Sequence, residues 1–501
     1  MKDPRVGRPV SPADVRTDTS ADEARAHSTT WRWHGLWLIV SSGCRRKHRM
    51  HQFRLLLLGL AVIAQSAHAG EDWRGQADRI MSTIPAAGPG ASVLIAQDGR
   101  TLYSSARGMA SVELGTPLAP DSVFRIGSLT KTVTAATVLR LSELGRLDLD
   151  APVSKVLPDF AYASRITARQ LLSHTSGVSD AWNAPLTHVL DTPKRLRLIG
   201  DTPLDFAAGT DWRYSNSGYM VLGAMVERIT GQPWQDAEKQ LVLAPAGATS
   251  MSYYDDAAVV PRLVTGYTVD DAGALARPAP YSITGPGAAG GLVSDASGVA
   301  LLLHAIGTHA ASGASEFALM STPTRIGTTE VPYGLGMVPG SLQGERIVEH
   351  SGGIEGYLAH YIYVPARDMA VVVLENSDAP AVPARSLARR LTALAIGKPY
   401  RVFAQADWPP DRLTALAGSY VIQGAGLHTI EIRQGAAWIR RDGSPAKRLQ
   451  TAVDDTLIYA GDGIDYLRAV RDARGRVTAL DFHVDGADAG RREPRVPSKA
   501  P

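Results

Sequence analysis

Ser128-Leu129-Thr130-Lys131 places a serine and a lysine three residues apart at the head of an amphipathic segment, a spacing that lets both side chains share one helical face. Apolar or small residues recur with a helical period at Val133, Ala136, Thr137, Leu141 and Leu144, and Gly145 supplies a left-handed stop. The spacing therefore predicts a helix that starts at Ser128. Backbone N–H groups at such a terminus favour anionic oxygen, while a lysine sheltered from water loses proton affinity and can act as a base near neutral pH. The chain contains a second match, Ser444-Pro445-Ala446-Lys447, but it follows Asp442-Gly443 and contains a proline. It reads as a turn between strands.

Two further elements follow Ser128 in order, Tyr214-Ser215-Asn216 and His350-Ser351-Gly352. The first is specific, because asparagine occurs only at 183, 216 and 376 and Asn216 alone has a tyrosine two residues before it. Supporting stretches are Phe124-Arg125-Ile126-Gly127-Ser128, Leu171-Leu172-Ser173-His174-Thr175-Ser176-Gly177, Trp212 to Tyr219, Gly290-Gly291-Leu292-Val293-Ser294 and Tyr333-Gly334-Leu335-Gly336. Together these residues resemble the serine β-lactamase and penicillin-binding-protein superfamily. The likeness is strongest to the branch holding class C β-lactamases, D-stereospecific peptidases and related esterases, and it spans about residues 72 to 397.

The resemblance implies that Ser128 attacks a carbonyl to form an acyl-enzyme, with Lys131 taking its proton. Tyr214 would shuttle the proton to the leaving group, provided that neighbouring cations lower its pKa. Asn216, His350, Ser351 and Gly352 would contact substrate, and the oxyanion hole would use the N–H groups of Ser128 and Gly353 on an edge strand. The third motif begins with His350, where β-lactamases of this branch carry lysine. A largely neutral imidazole holds a β-lactam carboxylate less firmly. Peptidase or esterase activity therefore ranks above β-lactam hydrolysis, and a non-hydrolytic sensor is the rival class. His174 is expected to buttress a loop.

Other chemistries leave no trace in the sequence. No serine is flanked by glycines at minus two and plus two, H-E-x-x-H is missing, and the histidines stand at no recognised metal-ligand spacing. No cofactor or metal is expected, and the partner is a small-molecule or peptide substrate.

Met50, Arg54, the apolar run from Leu55 to Ala64 and the small-residue site Ala67-His68-Ala69 read as a secretory leader over 50–69, cleaved near Ala69. That run is too short for a membrane anchor. Residues 1–49 are expected to be untranslated or disordered. Residues 1–69 hold eleven Lys or Arg and five Asp or Glu, so removing their +6 turns the net charge of +3 into −3. No case for nucleic acid remains. Cys44, the one cysteine, would be lost as well, and a periplasmic or secreted location is expected.

The expected fold is α+β: a β-lactamase/DD-peptidase-like antiparallel sheet flanked by helices, a mainly helical subdomain, and a small C-terminal antiparallel β-barrel. The catalytic domain would cover 70–400, a linker 401–410, a lipocalin-like barrel 411–490 and a disordered tail 491–501. Hairpins are read at Ala91–Ile95 with Leu102–Ala106 around Asp98-Gly99, and at Leu358–Val364 with Met369–Leu374. Both should join one sheet. The sequence leaves the oligomeric state and the role of the barrel open.

Overall fold

A computed structural model describes residues 73–180, 191–308, 314–461 and 463–497. The expected leader at 50–69, the segment 1–49 and Cys44 lie outside the described residues. The main sheet has six antiparallel strands: β1 (Ala91–Gln97), β2 (Arg100–Arg107), β3 (Val338–Leu342), β4 (Glu345–Ile354), β5 (Tyr357–Val364) and β6 (Met369–Glu375). Their spatial order is β3-β4-β5-β6-β1-β2, so the two hairpins read from the sequence join through β1 and β6. β6 is buried at every position. Its Val371-Val372-Val373 run is apolar on both faces because helices cover both.

Four helices matter for the site: α1 (Thr130–Glu143), α2 (Asn216–Thr230), α3 (Ala296–Gly307) and α4 (Ala384–Ala395). Val371 and Val373 pack with Leu387 and Leu391 of α4 and with the helix over residues 73–81. Val372 and Leu374 face the opposite core, which contains α1, α2 and α3. α1 is buried along Thr130 to Leu139 and has no solvent face there. It forms the central post of the helical layer.

Ser128 stands at the head of α1, as expected: it sits in a 3-10 turn, Gly127–Leu129, and α1 follows directly from Thr130 without a side-chain cap. The cause is Gly127, whose φ of 51° lets the chain double back, while the Thr130 hydroxyl donates to the Gly127 carbonyl at 2.8 Å. β4 is an edge strand at Gly353, as expected, though not along its whole length. β3 covers it from Glu345 to Glu349, and its free border begins only at His350.

After α4 the chain forms an eight-stranded antiparallel meander from Gly418–Ile422 to Arg491–Pro494. A bridge between Tyr420 and Arg495 brings its first strand back to its last. Residues 401–410, expected as a linker, pack onto this barrel. Trp408 is buried and its indole N–H donates to the Ala452 carbonyl at 2.9 Å. The tail expected to be disordered from 491 instead supplies the eighth strand. Glu493 is fully buried there and accepts from His428 at 2.8 Å, a tie that the polar, proline-bearing composition conceals.

Candidate active site

Ser128, Tyr214, Asn216 and Gly353 line one open cavity of about 470 Å³ between the helical layer and the free border of β4. Lys131 lies beneath it, fully buried. Its Nζ is 2.7 Å from Asn216 Oδ1, 2.7 Å from the Ala289 carbonyl and 3.0 Å from Ser128 Oγ. A neutral amine has two N–H bonds and one lone pair. The amide and carbonyl oxygens can only accept, so they take both N–H groups and leave the lone pair for the Ser128 hydroxyl. Burial favours this form, pulling the Lys131 ammonium down to about 7 even though the Asp180 carboxylate opposes the shift.

Asp180 is a site residue that the sequence reading missed. Its Oδ1 accepts from the backbone N–H groups of Asn216 (2.8 Å) and Ser217 (3.0 Å), and its Oδ2 accepts from Asn216 Nδ2 at 2.7 Å. This carboxylate therefore ties down the first turn of α2 and fixes which way the Asn216 amide faces. Its only trace in the sequence is the polar turn Ser176-Gly177-Val178-Ser179-Asp180, where spacing gives no hint of a partner so far along the chain.

The Tyr214 hydroxyl is hydrogen-bonded to Ser128, and its ring lies 4.8 Å below Lys131 Nζ. The expected drop in its pKa is not found: burial raises it, and the Ser128 bond only partly opposes that rise. The resting group is a neutral phenol. His174 buttresses it, at φ 59° and fully buried, with its ring 4.4 Å from that of Tyr214 and its Nδ1 accepting from the Ser215 N–H at 3.1 Å.

His350 does not line the cavity, a correction to its expected contact with substrate. It is 3% exposed. Nδ1–H donates to the Ser351 carbonyl and Nε2 accepts from the Tyr333 hydroxyl, both at 2.8 Å. Burial, aided by the charge of Lys131, brings its pKa down to about 3, so the ring is a neutral spacer behind Tyr214. Ser351 is exposed and its hydroxyl donates to His360 Nδ1 at 2.9 Å. Gly352 is buried against the Ile126 carbonyl, 2.1 Å from where a Cβ would stand. A Cβ on Gly127 would lie 2.9 Å from the Gly353 nitrogen, so the turn bearing Ser128 and the free border of β4 touch through glycine backbone.

Behind α1, Thr134 Oγ1 lies 2.6 Å from Glu238 Oε1 and 2.7 Å from the Ala288 carbonyl. One hydroxyl proton serves one acceptor, and the carbonyl cannot donate. Glu238, fully buried and raised to about 8 by burial, is therefore a neutral acid that donates to Thr134. This chain pins the turn whose next carbonyl, Ala289, holds Lys131.

A six-stranded antiparallel sheet with a serine–lysine–tyrosine cluster at the head of a buried helix defines the class of the penicillin-recognising proteins. The family model described as Beta-lactamase matches residues 77–396, more than half of the sequence, and the chain belongs to this family. It is similar to "Esterase EstB" of Burkholderia gladioli, 35% identical over 237 residues that cover 40% of this chain and 59% of the esterase. It also resembles "D-aminopeptidase" of Gluconobacter oxydans (strain 621H), 26% identical over 381 residues, covering 74% of this chain and 70% of that one. Among solved structures, the octameric penicillin-binding protein homologue from Pyrococcus abyssi superposes with a TM-score of 0.59 at 23% identity, covering 84% of this chain and 99% of that chain. At that identity the likeness establishes the fold.

Proposed function

We propose that this protein is a serine hydrolase that acts through an acyl-enzyme on D-amino-acid peptides or amides and small esters. The observation that carries the reading is the hydrogen-bond geometry of Lys131, which aims a lone pair at the Ser128 hydroxyl. Ser128 Oγ adds to the substrate carbonyl as its proton passes to Lys131. The oxyanion is received by the Ser128 and Gly353 N–H groups. The neutral Tyr214 hydroxyl relays the proton to the leaving amine or alkoxide, and water then hydrolyses the acyl-serine by the reverse path. Similarity to an esterase and a D-aminopeptidase supports the substrate class. The leader-like pattern read at 50–69 is the ground for proposing that the enzyme is exported.

The cavity wall narrows the choice. Among the described residues it carries Glu355 and Asp378 and no cationic side chain, and His350 behind it is neutral. This polarity suits a substrate amine and disfavours the carboxylate of a β-lactam. Assay of the purified protein with D-alanine p-nitroanilide, p-nitrophenyl butyrate and nitrocefin tests the proposal. Turnover of the first two with a much smaller kcat/KM for nitrocefin is expected. Stoichiometric labelling by a fluorophosphonate without turnover of any substrate would make the protein a sensor instead.

A further inference from the structure

Lys131 and Thr134 stand one turn apart on α1 and reach consecutive carbonyls of a single segment: Lys131 Nζ donates to Ala289 and Thr134 Oγ1 to Ala288, each at 2.7 Å. That segment is the 3-10 turn Gly287–Ala289, buried at all three positions. It depends on Gly287, at φ 48°, and it is seated closely against α2, where a Cβ on Gly223 would lie 2.6 Å from the Ala288 Cβ. The Ala289 carbonyl is one of the two acceptors that aim the Lys131 lone pair at Ser128. The direction of the Thr134 proton, one residue back along the turn, therefore helps to set the geometry of the base.

Glu238 decides that direction. It closes the helix Trp234–Glu238, where the chain widens into a π-helical turn, Lys239–Leu243, a feature frequent at functional sites. Its Oε1 lies 2.6 Å from Thr134 Oγ1, and its buried Oε2 has no hydrogen-bond partner among the described residues. The titratable groups on the elements packed around it include Lys131 on α1, Glu227 on α2, Tyr253 against Trp234, Arg195 over Gly287, and Asp236 and Lys239 on its own segment. Burial nevertheless governs its proton affinity, opposed by the Thr134 bond, and raises it to about 8. As an acid Glu238 donates to Thr134, which leaves the single Thr134 proton for the Ala288 carbonyl. As a carboxylate it is the stronger acceptor and takes that proton itself. The Ala288 carbonyl then faces a hydroxyl lone pair in a buried turn, with no donor at that contact. The new negative charge behind α1 also favours the ammonium form of Lys131.

We propose that Glu238 is a positioning residue for Lys131: its proton keeps the Thr134 hydroxyl on the Ala288 carbonyl, and loss of that proton at alkaline pH takes the Lys131 lone pair away from Ser128. The proposal rests on the hydrolase reading above, in which Lys131 is the base. The rate of fluorophosphonate labelling of the purified protein, followed by intact mass, tests it without requiring turnover. In the wild type the rate should rise through the Lys131 limb and then fall at least threefold between about pH 7.5 and pH 9.5. Glu238→Gln, whose amide donates to Thr134 at every pH, should keep the rising limb and lose the fall. With the rising limb intact, no fall in the wild type or an equal fall in Glu238→Gln overturns the role of Glu238 and leaves the hydrolase reading standing. A missing rising limb, or no labelling at any pH, removes Lys131 as the base and this proposal with it. Thermal melts test the proton itself. The native state keeps it where the unfolded chain has released it, so wild-type stability falls as pH rises from about 5 to 8, and the Tm of Glu238→Gln should gain on that of the wild type across this window. A Tm difference independent of pH would overturn the proposal.

Discussion

Lys131 sets the pH dependence expected of the molecule. Its ammonium is held down to about 7 by burial, so the fraction able to accept the Ser128 proton is small below that pH and rises through it. The kcat/KM profile for a non-ionising ester should accordingly climb with pH through about 7. Lys131→Ala should lose roughly 10² to 10⁴ in kcat/KM, the usual contribution of a positioned base. A flat profile from pH 5 to 9 would remove lysine from the base role. His350 gives the opposite lesson. Its sequence context invites the idea that His350→Lys would improve binding of carboxylate substrates. The structure instead shows a 3% exposed ring wedged against Tyr333, where an ammonium would lose its hydration. His350→Lys should lower Tm by a few degrees, given that each 1 kcal/mol moves Tm by about 2–4 °C in a domain of about 150–250 residues and by less in a larger one. It should not raise nitrocefin turnover relative to ester turnover, and both are read by thermal melts and paired kinetics.

At the scale of elements, α2 is held at its start by Asp180 and Ser215 side chains together, and Ser215 Oγ accepts from the Gly218 N–H at 3.0 Å. Asp180→Asn should cost about 1 kcal/mol or more of stability, as loss of a helix cap does, seen as a lower urea midpoint. Because the Asp180 carboxylate raises the Lys131 pKa, removing its charge should also shift the lysine limb of the pH–rate profile to lower pH. The sign separates an electrostatic role from a purely structural one, which would leave the limb in place. The hairpins of the main sheet were legible because alternation and the Asp98-Gly99 and Pro365–Asp368 turns act within a few residues. Asp180 was not, since its partners lie 36 residues on and no periodicity announces such a pairing. Nor was the 3-10 turn under Ser128, which depends on the positive φ of Gly127 and its contact with Gly353.

Taken whole, the molecule places its reactive groups where the free border of β4 and the glycine-rich turn after Pro286 meet the helical layer. The order of the three motifs along the chain, with the Ser128–Lys131 spacing, carried the family resemblance from which the fold class was expected, and the fold brings these segments together from distant positions. Its acidic cavity wall and the ion-paired seam to the barrel were hidden, since Glu355, Asp378 and Arg389 gain their meaning only from neighbours remote in sequence. The account turns on Ser128 being the nucleophile, and another exposed serine hydrogen-bonded to a histidine, Ser351, stands nearby as an internal rival. Intact-mass spectrometry after reaction with a fluorophosphonate decides between them. The account predicts one adduct on the native protein, the same adduct on Ser351→Ala and Ser444→Ala, and none on Ser128→Ala. An adduct that survives Ser128→Ala and disappears in Ser351→Ala would contradict it.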